Sequence, residues 1–256
     1  MDFLEFEKWV YREIGINLSA YKPNQLHRRI ESLMSRVGVK SLDEYTKLIK
    51  SDGEQRQKFL DFITINVTEF FRNPELFDEL EKLMKTTYLT KKEPLKIWSA
   101  ACSIGCEPYS VAMILKNNTT GPVMHKILAT DIDNTILGKA KLGEYTDNEM
   151  KNVSQENLKK YFKVEGSKYL IDPGIKNMVT FKKHDLILEN YESNLDIILC
   201  RNVVIYFNTD VKNEIYKKFS KALKPGGLLF VGATESIYNY KEFGFEKKST
   251  FIYSKL

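Results

Sequence analysis

The sequence predicts an α/β fold: a Rossmann-like, mainly parallel, doubly wound sheet, preceded by a small all-helical domain and carrying a short antiparallel β insertion. Three observations predict it. The first sixty residues place apolar side chains at helical spacing and contain no convincing strand. From Leu95 onward, apolar runs of strand length alternate with helical stretches, as in a sheet whose crossovers are helices. Between residues 161 and 181, turn residues interrupt that alternation.

In the helical part, Phe3, Phe6, Trp9, Val10 and Ile14 share one face, and Gly15 is the stop. Residues 23–37 put Leu26, Ile30, Leu33 and Val37 on one face, closed by Gly38. Ser41-Leu42-Asp43-Glu44 reads as a helix start with an acid that reaches back, and Leu42, Tyr45, Leu48 and Ile49 form the stripe that follows. Asp52-Gly53 breaks this helix, and residues 55–65 begin a fourth. The domain boundary is expected between residues 64 and 65, with residues 65–256 forming the second domain.

In that second part the candidate strands are residues 95–99, 126–130, 179–184, 195–200, 227–231 and 251–254. Helices are expected at residues 108–116, 134–142 and 209–223. Residues 243–248 and 251–256 can close the sheet as a hairpin. Gly166-Ser167 and Asp172-Pro173-Gly174 flank residues 168–171 and mark the antiparallel insertion.

Composition narrows the class. A chain of 256 residues with 43% apolar content is long enough for a small domain plus a medium one. The net charge of +5 permits an acidic partner but does not call for nucleic acid. The N-terminus is acidic and amphipathic, and no run is long enough to span a bilayer, so neither a signal peptide nor an anchor is expected. The three cysteines, Cys102, Cys106 and Cys200, are too few and odd in number for a disulfide framework, which suits a reducing, cytoplasmic setting. His27, His125 and His184 lie far in sequence from the cysteine pair, so a four-ligand metal centre is not expected.

A ligand on such a sheet sits at the carboxyl ends of the strands. The loop after the first strand, residues 100–107, is rich in small residues and lacks the three-glycine fingerprint that cradles a diphosphate. A cofactor without phosphate fits it better. Glu107, beside a helix N-terminus, reads as a cap or as the acceptor for an amino group. Asp131, nearest the second strand end, is placed to accept ribose hydroxyls, whereas Asp133 reads as the cap of the following helix. Asp185 reads as a turn residue or as an acceptor for an adenine amino group. Asn202 and Tyr206 line the segment after the fourth strand, where a buried tyrosine is also an ordinary core residue.

The most distinctive stretch is Asn66-Val67-Thr68-Glu69-Phe70-Phe71-Arg72, followed at once by Pro74. By itself it reads as a helix end with capping residues before a new helix. Together with Trp98-Ser99-Ala100-Ala101-Cys102-Ser103-Ile104-Gly105-Cys106-Glu107-Pro108-Tyr109-Ser110, it resembles the CheR family, the chemotaxis receptor methyltransferases. These enzymes methylate glutamate side chains with S-adenosylmethionine. Asp131-Ile132-Asp133, residues 200–207, Lys224-Pro225-Gly226-Gly227-Leu228-Leu229-Phe230 and Glu235 extend the resemblance to nearly the whole chain. The antiparallel hairpin that ends the sheet is likewise typical of S-adenosylmethionine-dependent methyltransferases.

The resemblance implies cofactor contacts from Asn66, Thr68, Arg72, Glu107, Asp131, Asp185, Leu186, Asn202 and Val203, and a reaction centre at Arg72 and Tyr206. The family commonly has two acids before Pro-Tyr-Ser; here the first is Cys106, so only Glu107 carries that role. The basic run Lys22, His27, Arg28, Arg29 and Arg36 reads as a solvated face. In the family the corresponding helix contacts the glutamate-bearing helices of the receptor, which implies substrate binding by Arg28, Arg29 and Arg36. The insertion corresponds to a region that pairs with a receptor tail in some members, but the loop at residues 165–168 is short and lacks a glycine-rich turn. A monomer with no nucleic-acid partner is expected. The rival readings are a nucleic-acid methyltransferase, disfavoured by the mild charge, and a non-catalytic cofactor sensor.

Overall fold

The computed structural model describes residues Met1 to Leu256, which divide into two compact units. The first unit comprises residues 1–66 together with residues 206–212. Helix α1 (Phe3–Ile14) starts on a reciprocal capping box between Asp2 and Glu5 and ends on Gly15 in the left-handed region. Helix α2 (Pro23–Val37) opens with Pro23, whose missing N–H costs nothing in a first turn, and ends on left-handed Gly38. Helices α3 (Leu42–Ser51) and α4 (Gly53–Thr64) are capped by Ser41 and Asp52. The Glu44 carboxylate accepts from the N–H of Lys40, one residue upstream of a reciprocal box, so the expected reaching acid closes a wider turn.

The periodic faces meet in one core. Phe59 lies edge-on to Phe6 and Tyr45, with Val10, Leu26, Ile30 and Ile49 buried around them. The segment at residues 206–208 joins this unit through backbone bonds. The N–H of Lys22 donates to Tyr206, and the N–H of Asn208 donates to Ala20.

The second unit holds the remaining residues. In chain order its elements are α5 (Pro74–Thr87), β1 (Lys96–Ala100), α6 (Cys106–Asn118), β2 (Lys126–Asp131), α7 (Asn134–Leu142), β3 (Glu144–Tyr145), α8 (Asp147–Met150) and α9 (Gln155–Tyr161). They continue with β4 (Phe162–Glu165), β5 (Lys168–Ile171), α10 (Pro173–Lys176), β6 (Val179–Lys183), β7 (Leu195–Cys200), α11 (Thr209–Ala222, which begins in the first unit), β8 (Leu223–Val231), β9 (Phe245–Lys247) and β10 (Ile252–Lys255).

The main sheet has seven strands in the order β6-β2-β1-β7-β8-β10-β9. Five are parallel, and β10 and β9 add the antiparallel ending that the terminal hairpin predicted. The three central parallel strands are almost wholly buried, as a sheet covered on both faces requires. The strand order reverses between β1 and β7, so the loops after β1, β2 and β7 gather at one edge.

The insertion is a small antiparallel sheet, β3-β5-β4. Its two-residue strand β3 was too short to leave a periodic signal. Several boundaries differ from expectation, two of them for a visible reason. Helix α6 begins at Cys106, not Pro108, because a proline is tolerated anywhere in the first turn. Strand β8 begins at Leu223, beyond a register shift against β7 that absorbs the Pro-Gly-Gly turn signal.

Candidate active site

In the second unit, polar side chains converge where β1, β2 and β7 end. Left-handed backbone at non-glycine residues clusters in the same segments: Phe71, Asn73, Ala101, Ser103 and Asn202. Such conformations cost of order 1–3 kcal/mol each and persist only where the surroundings enforce them.

Residues 66–73 form a loop between α4 and α5 rather than a cap. Phe70 is fully buried, edge-on to Tyr145 at 4.7 Å and Phe162 at 5.2 Å, and Phe71 packs edge-on against Phe77. The paired aromatics are therefore anchors. The N–H of Phe70 donates to Glu149, and that of Phe71 to the Ser110 hydroxyl, which itself donates to the Cys106 carbonyl. The Thr68 side chain lies beside the Cys106 thiol. Arg72 Nη1 donates to the Val67 carbonyl at 3.1 Å. Pro74 opens α5, as the alternative reading of this stretch expected, and the Asn73 side chain before it makes no cap.

The Asn73 amide oxygen instead accepts from Arg201 Nη2 at 3.1 Å, and the same nitrogen donates to the Arg72 carbonyl at 2.7 Å. Arg201 Nη1 lies 3.8 Å from the Glu107 carboxylate, and the guanidinium lies 5.0 Å from the centre of the Phe77 ring and 4.7 Å from that of Phe230. Its side chain is only 2% exposed, so it is a buried cation serving the Arg72 loop and the Glu107 helix together. The sequence reading assigned Arg201 no role. A single arginine inside the apolar run 197–205 was the signal that could have found it.

Glu107 sits in the first turn of α6 and accepts from the Ser99 hydroxyl at 2.8 Å. Burial pushes its carboxyl up, while Arg201, Ser99 and Arg72 pull it back. Asp131 is 6% exposed. It accepts from the N–H groups of Ser103 and Asp133, and burial outweighs them and pushes its carboxyl up as well. Asp133 accepts from Thr135 and Ile136, as the cap of α7.

Asp185 Oδ1 accepts from Ile187 and Leu188, a turn role that leaves Oδ2 for another donor. Leu186 beside it is buried. The backbone N–H groups of Asn202 and Val203, with that of Gly232, donate to the buried Glu235 carboxylate at 2.6–2.9 Å. Glu235, part of the sequence resemblance but given no role there, thus shapes the loop after β7. The approach is so close that a Cβ on Gly232 would stand 2.5 Å from Glu235 Oε2.

The donor set discriminates among ligands. Three acidic side chains at strand ends, two of them pushed up by burial, would repel a diphosphate. They suit a ligand with an ammonium group, ribose hydroxyls and an exocyclic amine, while Arg72 can answer one carboxylate. S-adenosylmethionine meets that description. Burial also holds the thiols of Cys102, Cys106 and Cys200 well up, so none is a poised nucleophile.

In the first unit, Tyr206 lies in a short 3-10 turn and lines a small concavity with Tyr21, Lys22, Gln25, Leu26, Arg29 and Ile63. Arg29 is half-buried, 4.6 Å above the Phe62 ring and 5.9 Å from that of Tyr206, and Arg36 lies 5.4 Å from the Phe62 ring. Arg29 and Arg36, seven residues apart, therefore share a face. Arg28 and Arg36 are exposed. Asn66 closes the same unit, after Ile65 turns the chain in left-handed backbone.

Comparison with known proteins identifies the family. Residues 66–252 match the model of the CheR methyltransferase S-adenosylmethionine-binding domain, and residues 1–64 match that of the CheR methyltransferase all-alpha domain. A chemotaxis protein methyltransferase of Listeria monocytogenes is 38% identical over 99% of this chain and 97% of its own length. One from Pseudomonas putida is 35% identical over 93% and 90%, and one from Escherichia coli is 31% identical over 98% and 90%. The chain belongs to the CheR methyltransferase family.

Proposed function

We propose that this chain methylates glutamate side chains of chemoreceptors with S-adenosylmethionine, the reaction by which chemotaxis adapts. It is a protein-glutamate O-methyltransferase. The observation that carries the reading is the set of acids at the ends of β1 and β2 beside an arginine-bearing loop, in a chain that matches the family from end to end.

Bound S-adenosylmethionine supplies a methyl group on a sulfonium, which leaves without needing a proton. The acceptor glutamate is already ionised near neutral pH, with a reference pKa of about 4.3, so the chain need provide no general base. The scarcity of histidine is then no obstacle. The work left to the protein is alignment and exclusion of water.

In this reading Glu107 receives the ammonium of the methionyl tail, Asp131 the ribose hydroxyls, and Asp185 with Leu186 the base. Asn66, Thr68, Asn202 and Val203 complete the pocket. Arg72 orients the tail carboxylate. Were it paired to the acceptor, it would stabilise the charged ground state more than a transition state in which charge is being lost. Tyr206 places the acceptor oxygen by a neutral hydrogen bond. Arg28, Arg29 and Arg36 meet the acidic helices of the receptor's cytoplasmic part, and the enzyme works as a monomer without nucleic acid. No helix of the chain is long and apolar enough to cross a membrane.

Incubation with methyl-labelled S-adenosylmethionine and receptor-containing membranes tests this. Base-labile label on the receptor is expected. Label that resists base, or that appears on nucleic acid, would overturn it.

A further inference from the structure

The loop after β6 converges on one residue that the proposed site does not use. Lys218, on α11, donates from Nζ to the carbonyls of Leu186 at 3.2 Å, Ile187 at 3.1 Å and Glu189 at 2.8 Å. The same ammonium lies 4.3 Å from the centre of the Tyr191 ring. A lysine has three N–H donors, and here all three go to one loop. The loop's ends are tied to strands, with the His184 N–H donating to the Asp131 carbonyl and Lys96 reaching Glu192 and the Ser193 carbonyl, while the other bonds of residues 184–191 are internal. Asp185 accepts from Ile187 and Leu188, Glu189 accepts from the N–H of Asp185 and pairs with His184, and the Tyr191 hydroxyl donates to Leu186. These contacts close short rings within the loop. Only Lys218 ties its carbonyls to a helix, and without that ammonium three carbonyl dipoles would point at one another.

We propose that Lys218 is a positioning residue for the nucleoside end of S-adenosylmethionine: its ammonium holds the Asp185-Leu186 backbone in the form that receives the base. This rests on the reading of Asp185 and Leu186 as the base-contacting pair. Lys218 contacts the loop's carbonyls and would act on the ligand only through them. Its effect belongs to binding of the adenosine moiety and not to methyl transfer.

Lys218→Met keeps the apolar stem and removes the three donors. Calorimetry should show S-adenosylhomocysteine and 5′-methylthioadenosine weakened by the same factor, roughly tenfold, the scale of a charge-assisted hydrogen bond, because the two share the adenosine. The KM for S-adenosylmethionine should rise in step, while kcat at saturation and the KM for receptor stay put. Asp185→Ala, measured alongside, should weaken both ligands too. If Asp185→Ala weakens them and Lys218→Met does not, the role of Lys218 is overturned and the base site stands. If neither variant changes either ligand, the base-site reading fails and takes the proposal with it. A lower melting temperature and kcat with unchanged KM would make Lys218 a structural strut only. Should Lys218→Met fail to fold, Lys218→Gln provides the same comparison.

Discussion

Asp131 and Glu107 are both buried acids, yet they differ in company. Asp131 is held by backbone N–H groups alone, whereas Glu107 has a hydroxyl and the Arg201 guanidinium. Asp131→Ala should weaken S-adenosylmethionine binding by about 1.5–3 kcal/mol, the scale for hydrogen bonds to a charged group, with no gain of NAD binding. Calorimetry with both ligands checks this, and an unchanged dissociation constant would remove Asp131 from the pocket. Arg201→Met should cost about 3–5 kcal/mol of stability in urea unfolding, because it leaves Glu107 buried without its cation. A loss below 1 kcal/mol would show that water already compensates the acid. Tyr206→Phe should lower turnover while leaving cofactor affinity intact; lost affinity with retained turnover would move Tyr206 into the cofactor pocket. Asp133 was legible as a cap because its bonds run to residues two and three positions on, whereas Arg201 was not, since its partners come from distant segments.

At the scale of elements, helix α2 is more than a charged face. Arg29 and Arg36 flank Phe62, with Arg29 half-buried, while Arg28 stands in solvent. Replacing all three with alanine should abolish receptor methylation at low receptor concentration and leave cofactor binding unchanged. The parent's apparent receptor affinity should fall with salt, since exposed charges are screened within about 8–10 Å at ordinary ionic strength. Circular dichroism must accompany the assay, because Arg29 also packs its stem. A folded variant that methylates receptors as fast as the parent at every salt concentration would return α2 to the role of a solvated face.

Across the whole molecule, the buried acids couple ligand binding to pH. Burial raises the carboxyls of Glu107, Asp131 and Glu235 above their unfolded values. For each, the folded state binds its proton more tightly than the unfolded chain. The associated stability is therefore complete below the unfolded value of about 4 and is lost as pH rises through the raised folded value. S-adenosylhomocysteine offers donors to the ionised forms of Glu107 and Asp131, so its binding should strengthen over the same window. Melting curves from pH 4.5 to pH 8, with and without this ligand, should show stabilisation by the ligand growing with pH. A constant difference would mean that neither acid contacts it.

Local pattern alone determined much of this protein. The helical faces of residues 3–49 follow a spacing that each helix reads from its own residues. The strand–helix alternation and the co-ordered motifs around Asn66, Glu107, Asp131 and Asn202 were enough to reach the family. The tertiary structure alone decided the order of strands about β1, the short strand β3, and the grouping of residues 206–212 with the first unit. It also decided the roles of Arg201, Glu235 and Lys218. Arg201 meets Arg72 across 129 residues, Glu235 meets Asn202 across 33, and Lys218 meets Leu186 across 32. Periodicity records which face of an element is apolar. It carries no record of which distant carbonyl or carboxylate a buried charge will find, because that depends on how the elements stack.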